Sequence, residues 1–167
     1  MRLFFWLLWV LAGTVGWAVG GGETAFGEYP SVPNVIVGGY VRLAAGGILV
    51  GALQWLLLRR QIARAGRWVL ANIGAVLIVG AIVFGVGAVN ADVGWVVGAG
   101  LSGTLVGVLQ WLVLRGQVAR AGWWVVASTL GWIAGMPVGG FLGWAALGAM
   151  YGAITGVGIV WLLRQPS

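Results

Sequence analysis

The chain has 167 residues, of which 61% are hydrophobic and 7% are charged, and its formal net charge is +6. A soluble domain carries about 25% charged residues because its surface faces water, so a water-facing surface is excluded for a chain of this size. A bilayer is the solvent that fits such a composition. The chain has no His, Cys or Lys, and we therefore predict no enzymatic activity, no metal and no cofactor.

Six apolar stretches approach the length of about 20 residues that a helix needs to cross a bilayer. They are Leu3–Gly20, Ile36–Leu58, Trp68–Val89, Gly94–Leu114, Trp123–Gly139 and Gly143–Leu163. The segment from Asn90 to Gly94 has the composition of a turn, and Pro137, Gly139 and Gly140 are the breakers expected after the fifth stretch. The sequence predicts an all-α integral membrane protein with six transmembrane helices.

The first stretch also resembles a secretory signal, because Arg2 precedes an apolar run that ends in the small-residue pattern Gly16-Trp17-Ala18. The segment Trp9–Trp17, however, parallels Trp124–Trp132 later in the chain. We therefore expect the first stretch to be retained as a helix.

The charged residues separate to the two sides of a six-helix arrangement. Eight arginines fall on one side: Arg2, Arg59, Arg60, Arg64, Arg67, Arg115, Arg120 and Arg164. The three acids, Glu23, Glu28 and Asp92, fall on the other side. The positive-inside rule counts arginines in short loops and places their side in the cytoplasm. We predict that both termini are cytoplasmic.

The cytoplasmic arginines are candidates for setting topology and for contacting anionic lipid headgroups, at about 1 kcal/mol each. These candidates are Arg59, Arg60, Arg64, Arg67, Arg115, Arg120 and Arg164. A specific site for an anionic headgroup or an acidic protein partner is the alternative. Nucleic acid is not an expected partner, because the positive charge is that of a membrane anchor. Ala65-Gly66 and Ala121-Gly122 are predicted to be helix ends closed by glycine.

Arg42 is the exception to this separation. It lies about 25 Å along a helix axis from Arg59, near the outer interface, where its long side chain can reach the headgroups. Glu23, Glu28 or Asp92 could pair with it there. Arg42 is an interfacial anchor or, alternatively, a binding residue, because arginine within a membrane segment is costly.

The chain contains an internal repeat. Gln54–Trp68 aligns with Gln110–Trp124 without a gap, at an offset of 56 residues. The pattern Gly-x-x-x-Gly followed by Arg occurs three times, at Gly47, Gly51 and Arg59, at Gly103, Gly107 and Arg115, and at Gly152, Gly156 and Arg164. We predict one transmembrane domain, 1–167, of three parallel-oriented helical hairpins over approximately 1–66, 67–122 and 123–167, with a symmetry axis along the membrane normal. The third copy has drifted, because Trp161 is offset by one from the register.

Glycine spacing predicts close helix packing, since two glycines one turn apart let backbones approach. The candidate packing residues are Gly47, Gly51, Gly103, Gly107, Gly148, Gly152 and Gly156. One such row could instead pair with a second copy of the chain or with another protein.

Twelve tryptophans are present, and most lie near predicted helix ends. Trp55, Trp68, Trp111, Trp123, Trp124 and Trp161 fall near the arginines, and Trp95 and Trp144 fall near the outer ends. Because indole prefers the headgroup level, we interpret these residues as interface belts. Trp132 lies at mid-depth, where it packs in the core or faces an apolar ligand such as a pigment, quinone or lipid tail.

Four polar residues occupy equivalent places within the apolar stretches. They are Gln54, Asn72, Gln110 and Ser128. In lipid such groups need partners, and hydrogen bonds between helices, at about 0.6–2 kcal/mol each, are the ordinary solution. The alternative is a polar vestibule that opens toward the cytoplasm and that Thr104 and Thr155 would deepen.

The two copies of Gln-Trp-Leu-x-Leu-Arg, followed in the second by Ala119-Arg120-Ala121-Gly122-Trp123-Trp124, resemble a pattern in small bacterial multi-pass membrane proteins. The resemblance implies the repeated-hairpin architecture and a bacterial plasma (inner) membrane location, but it transfers no activity and no functional residue. We expect a non-enzymatic structural or accessory membrane protein. A small transporter or channel is the alternative, and binding of a lipid or a hydrophobic cofactor is a further one.

Overall fold

The computed structural model describes residues 2–21, 32–87 and 91–165, with side chains for 2–21, 38–82 and 100–165. Within them the chain forms six α-helices and no strand. The helices are α1 (Arg2–Gly21), α2 (Val32–Leu58), α3 (Gly66–Gly87), α4 (Ala91–Leu114), α5 (Trp123–Leu142) and α6 (Trp144–Leu162). Glu23 and Glu28, and the side chain of Asp92, lie outside the described residues, and so do the side chain of Trp95 and any contact of these acids with Arg42.

Four segments are long and apolar enough to cross a membrane by length and composition. They are Arg2–Gly21, Gly38–Leu58, Trp123–Leu142 and Trp144–Leu162. The parts of α3 and α4 with described side chains, Gly66–Ile82 and Gly100–Leu114, are apolar but shorter.

The six helices form a closed ring. Each helix packs against the next one in the chain, and α6 packs against α1; within the described chain no two helices across the ring come into backbone contact. Neighbouring helices run antiparallel, since Gly16 lies against Val50 while Gly20 lies against Gly46. The α2–α3 and α4–α5 loops therefore lie at one end, together with Arg2 and Arg164. We call this the arginine end, and we call the opposite one the distal end.

Polar side chains of the helices lie inside this ring, and many large apolar side chains lie on its outer surface. Gln54, Ser128 and Thr155 are each 0% exposed, whereas Leu70 is 67% and Val157 is 62% exposed. A protein folded in water has the reverse distribution. A lipid environment favours the distribution seen here. In lipid, polar groups must find hydrogen-bond partners within the protein, and exposed apolar side chains contact hydrocarbon without a free-energy penalty.

Glycine allows the closest helix contacts. Gly47 and Gly51 of α2 face α3, Gly103 and Gly107 of α4 face α5, and Gly148, Gly152 and Gly156 of α6 face α1. Each even-numbered helix therefore uses its row against the next helix around the ring. The shortest such distance to a backbone atom joins α6 to α1, where a Cβ atom added at Gly148 would lie 2.2 Å from the carbonyl oxygen of Gly13.

The turn after α5 differs from the prediction. Pro137, Gly139 and Gly140 do not break the helix, which continues to Leu142. Proline is tolerated there because the loss of one backbone hydrogen bond can be compensated by local adjustment of the helix and by neighbouring helices. The chain turns at Gly143, whose φ of 87° suits glycine.

Two other turn predictions are also wrong. Most of the predicted turn at Asn90–Gly94 is helical, because α4 begins at Ala91. Gly66 and Gly122 do not close helices; Gly66 begins α3, and Gly122 precedes α5 with φ −58°. The glycine with the conformation expected after a helix is Gly116, with φ 75°, two residues beyond the end of α4.

Candidate functional site

Three tryptophans from the three odd-numbered helices meet at the centre of the ring. Trp9, Trp68 and Trp124 are each 0% exposed. The ring centroids of Trp9 lie 6.0 Å from those of Trp68 and Trp124, which are 5.3 Å apart. All three pairs meet edge to face, the arrangement that aromatic quadrupoles favour. We call these residues the tryptophan triad; they join helices that have no backbone contact with one another.

Each member of the tryptophan triad donates a hydrogen bond to the even-numbered helix that precedes it around the ring. Trp68 Nε1 donates to Gln54 Oε1 at 2.9 Å, and Trp124 Nε1 donates to Gln110 Oε1 at 2.9 Å. Trp9 Nε1 donates to Thr155 Oγ1 at 3.1 Å. In the first two pairs the partners are 14 positions apart in sequence.

The third pair departs from the glutamine pattern. In the register set by the glycines and Arg164, the position that matches Gln110 is Ile159, which is fully buried. Thr155, one helical turn earlier, accepts from Trp9 instead and donates to the carbonyl oxygen of Tyr151 at 2.7 Å. The drift of the third copy therefore changes the acceptor but leaves the tryptophan N–H satisfied.

A second layer of polar groups lies on the distal side of the tryptophan triad. Gln110 Nε2 donates to Asn72 Oδ1 at 3.3 Å, and Asn72 Nδ2 donates to the carbonyl oxygen of Trp68 at 2.9 Å. The hydroxyls of Ser128 and Tyr151 lie 3.3 Å apart. The four polar residues singled out from sequence are thus all buried, and each takes part in a bond between side chains of different helices or with the tryptophan triad.

Gln110 connects three helices, which gives a first testable expectation. Replacing it with leucine removes the acceptor of Trp124 and the donor to Asn72, and it leaves two buried polar groups unsatisfied. We expect a loss of about 1–3 kcal/mol in the free energy of unfolding, measured by denaturant titration in bicelles. Thr14→Val is the control, because the Thr14 hydroxyl bonds only to Val10 of its own helix. An equal loss of unfolding free energy in the two variants would show that the hydrogen bonds of Gln110 between helices do not add to stability.

The arginine end of the ring is closed by the loops themselves. Apolar residues of the loops and helix ends cover the tryptophan triad: Leu58, Ile62, Ala65, Leu114, Ala121 and Leu162, none of them more than 7% exposed. The two loops are also tied to each other, because the Arg64 backbone N–H donates to Gln117 Oε1 at 3.3 Å. We call this layer the loop seal.

The arginines surround the loop seal without entering it. Arg59, Arg60, Arg64, Arg67, Arg115, Arg120 and Arg164 are all exposed at this end. Two of them lie over a tryptophan of the helix that they directly follow, Arg59 at 5.8 Å from the centroid of Trp55 and Arg115 at 5.7 Å from that of Trp111. Arg42 is in α2 toward the distal end and is partly buried.

A small cavity lies on the ring axis, distal to the tryptophan triad. Its volume is about 20 Å³, enough for about one water molecule. All six helices contribute to its wall, with Trp17, Val50, Asn72, Ser102, Trp132 and Tyr151 among the lining residues. We call it the axial cavity. The alternative interpretation of the polar residues is a vestibule open at the arginine end. In the described residues the tryptophan triad and the loop seal fill the axis there.

The interpretation of the tryptophans as belts is wrong for Trp68 and Trp124. Both are fully buried, because their helices turn these positions toward the axis, where Gln54 and Gln110 accept their N–H groups. Trp123, at 56% exposed, remains on the surface. Trp132 packs in the core against Trp17 and Tyr151, at centroid distances of 5.3 and 5.9 Å, and it also lines the axial cavity.

No family model, no curated protein and no solved structure matches this chain.

Proposed function

We propose that this chain is a non-enzymatic integral membrane protein that serves as a structural or accessory subunit in the bilayer. The observation that carries the proposal is the filled centre of the ring at its arginine end. There the tryptophan triad and the loop seal occupy the axis, and every N–H of the triad is already bonded within the chain. Such an interior rigidifies the ring and offers solutes no route through that end.

A membrane location and orientation form part of the proposal. The apolar exterior and polar interior support insertion in lipid, and the exposed arginines support a cytoplasmic arginine end. The chain is then a bacterial plasma (inner) membrane protein with cytoplasmic termini. The arginines over Trp55 and Trp111 contact anionic lipid there, since both side chains favour the headgroup level.

A threefold hairpin repeat is the architecture we propose. The hydrogen bonds of the tryptophan triad support it, because Gln54 with Trp68 and Gln110 with Trp124 form the same bond 56 positions apart. The glycine rows, each directed at the next helix around the ring, follow the same rotation.

The oligomeric state and composition of the protein extracted from the membrane test the proposal. Extraction into native nanodiscs followed by native mass spectrometry is expected to give a homo-oligomer or a complex of fixed stoichiometry with a second protein. A particle that is strictly monomeric at membrane concentrations, with no associated protein, would contradict the structural or accessory role.

A small transporter or channel is the second candidate, and the axial cavity favours it. All six helices line that cavity, as expected for a site between pseudo-symmetric repeats. This candidate requires the tryptophan triad to separate. Flux of water, of small neutral solutes and of chloride into proteoliposomes would be compared for the native chain and Trp124→Ala. Specific flux through the native chain would favour transport over the accessory role. Flux at the level of empty liposomes would reject the transporter or channel.

A further inference from the structure

Two indole N–H groups near the distal end have no hydrogen-bond acceptor among the residues that the structure describes. Trp17 and Trp132 are each 5% exposed, and neither Nε1 atom has a partner. A buried donor that lacks an acceptor costs about 1–3 kcal/mol, and tryptophan N–H groups usually find a partner when they are buried. Two unsatisfied donors in adjacent rings require an acceptor that the described residues do not supply.

Neighbouring rings offer these donors only weak acceptors. Trp17 meets Trp132 edge to face, with an interplanar angle of 82°, and Trp144 stacks on Trp17 at 27°. An N–H group directed at an aromatic face forms a second-order interaction compared with a bond to oxygen. In the tryptophan triad, by contrast, all three indole N–H groups donate to an oxygen atom of a neighbouring helix.

Both tryptophans line the axial cavity. The third unsatisfied donor, Gln54 Nε2, does not line it. The cavity volume of about 20 Å³ accommodates one small oxygen group. Tyr151, Ser102 and Asn72 add polar groups to a wall that is otherwise apolar.

The composition of the wall selects an uncharged occupant. Among the described residues, neither an arginine nor a carboxylate lines the cavity. An ion there would have no counter-charge from this part of the chain and would be expensive to bury. A neutral oxygen acceptor avoids this penalty and can accept a hydrogen bond from an indole N–H group.

We propose that the axial cavity is a binding site for an uncharged oxygen acceptor held between the indole N–H groups of Trp17 and Trp132. This chemistry is shared by an internal water molecule and by the carbonyl oxygen of an apolar molecule such as a lipid ester. The site goes beyond the structural role proposed above and does not depend on it, because the two donors need an acceptor in a scaffold and in a conduit alike.

The indole ¹H–¹⁵N resonances of the native chain in nanodiscs test the site. Trp17→Phe and Trp132→Phe assign the two resonances by their disappearance, while retaining an aromatic ring, and Trp123→Phe is the control at an exposed position. We expect both resonances downfield of a non-bonded indole. Cross-relaxation with water protons identifies water as the occupant; a saturable shift on titration with methyl decanoate identifies a carbonyl oxygen.

Either result supports the binding site and identifies whether the acceptor is water or a carbonyl oxygen. The ester arm has a further control, since Trp132→Phe is expected to reduce the ester-induced shift of Trp17 several-fold, whereas Trp123→Phe leaves it unchanged. The proposal is overturned if the Trp17 and Trp132 protons of the native chain resonate upfield, show no cross-relaxation with water and do not respond to the ester. That result would assign both N–H groups to the faces of neighbouring rings.

Discussion

Replacing Trp124 with alanine is expected to lower the free energy of unfolding by about 3–5 kcal/mol, as for other large-to-small changes of buried aromatic residues. The substitution removes ring contacts with Trp9 and Trp68 and leaves Gln110 Oε1 without its donor. It also opens a cavity at the point where three helices without backbone contact are joined. Thermal and denaturant unfolding in bicelles measure the loss.

The adjacent residue provides a matched control for this experiment. Trp123 is 56% exposed, so Trp123→Ala is expected to change the free energy of unfolding by no more than about 0.5 kcal/mol. Trp124→Phe separates ring packing from hydrogen bonding, because it keeps an aromatic ring and loses the N–H; its loss is expected between those of the other two variants. Equal losses at positions 123 and 124 would contradict a central role for the tryptophan triad.

Gly148→Ala is expected to have the second large effect, a loss of about 1–3 kcal/mol from overpacking. The added Cβ would lie 2.2 Å from the Gly13 carbonyl oxygen and 3.0 Å from Trp17 Cβ, so α1 and α6 must separate. Because this contact closes the ring, the separation weakens the arrangement that holds Trp9 against Thr155.

Gly140→Ala is the control, because no heavy atom lies within 4 Å of a Cβ added at that helical position. Both substitutions gain the same helix propensity, up to about 1 kcal/mol, and the difference between them isolates the contact. Equal stabilities would show that α1 and α6 do not approach as closely as described.

The helices and their polar interior could be predicted from sequence because both follow from local pattern. Apolar length places the helices. Polar side chains within apolar helices need hydrogen-bond partners inside the protein, as found for Gln54, Asn72, Gln110 and Ser128. Pro137 misled the prediction of the α5–α6 turn, because a proline that ends a helix in water can continue one in a membrane protein.

The tryptophan triad could not be predicted from position along each helix. Trp68 and Trp124 lie close to arginines, and an indole near a helix end is ordinarily interfacial. One signal did distinguish them: both align with Trp9, and Gln54 and Gln110 precede them by 14 positions. Thr155 carries no such signal, because the third copy has drifted. The axial cavity depends on how side chains from six helices pack together, which no single stretch of sequence determines.

The proposed topology is tested most directly by determining which end of the ring faces the cytoplasm. The chain has no cysteine, so single-cysteine variants report one position each. Gln61 is exposed at the arginine end, and Phe141 is 90% exposed at the distal end. With a membrane-impermeant maleimide, intact cells are expected to label Phe141→Cys at once and Gln61→Cys only after permeabilisation. Labelling of Gln61→Cys in intact cells, with Phe141→Cys protected, would contradict the account.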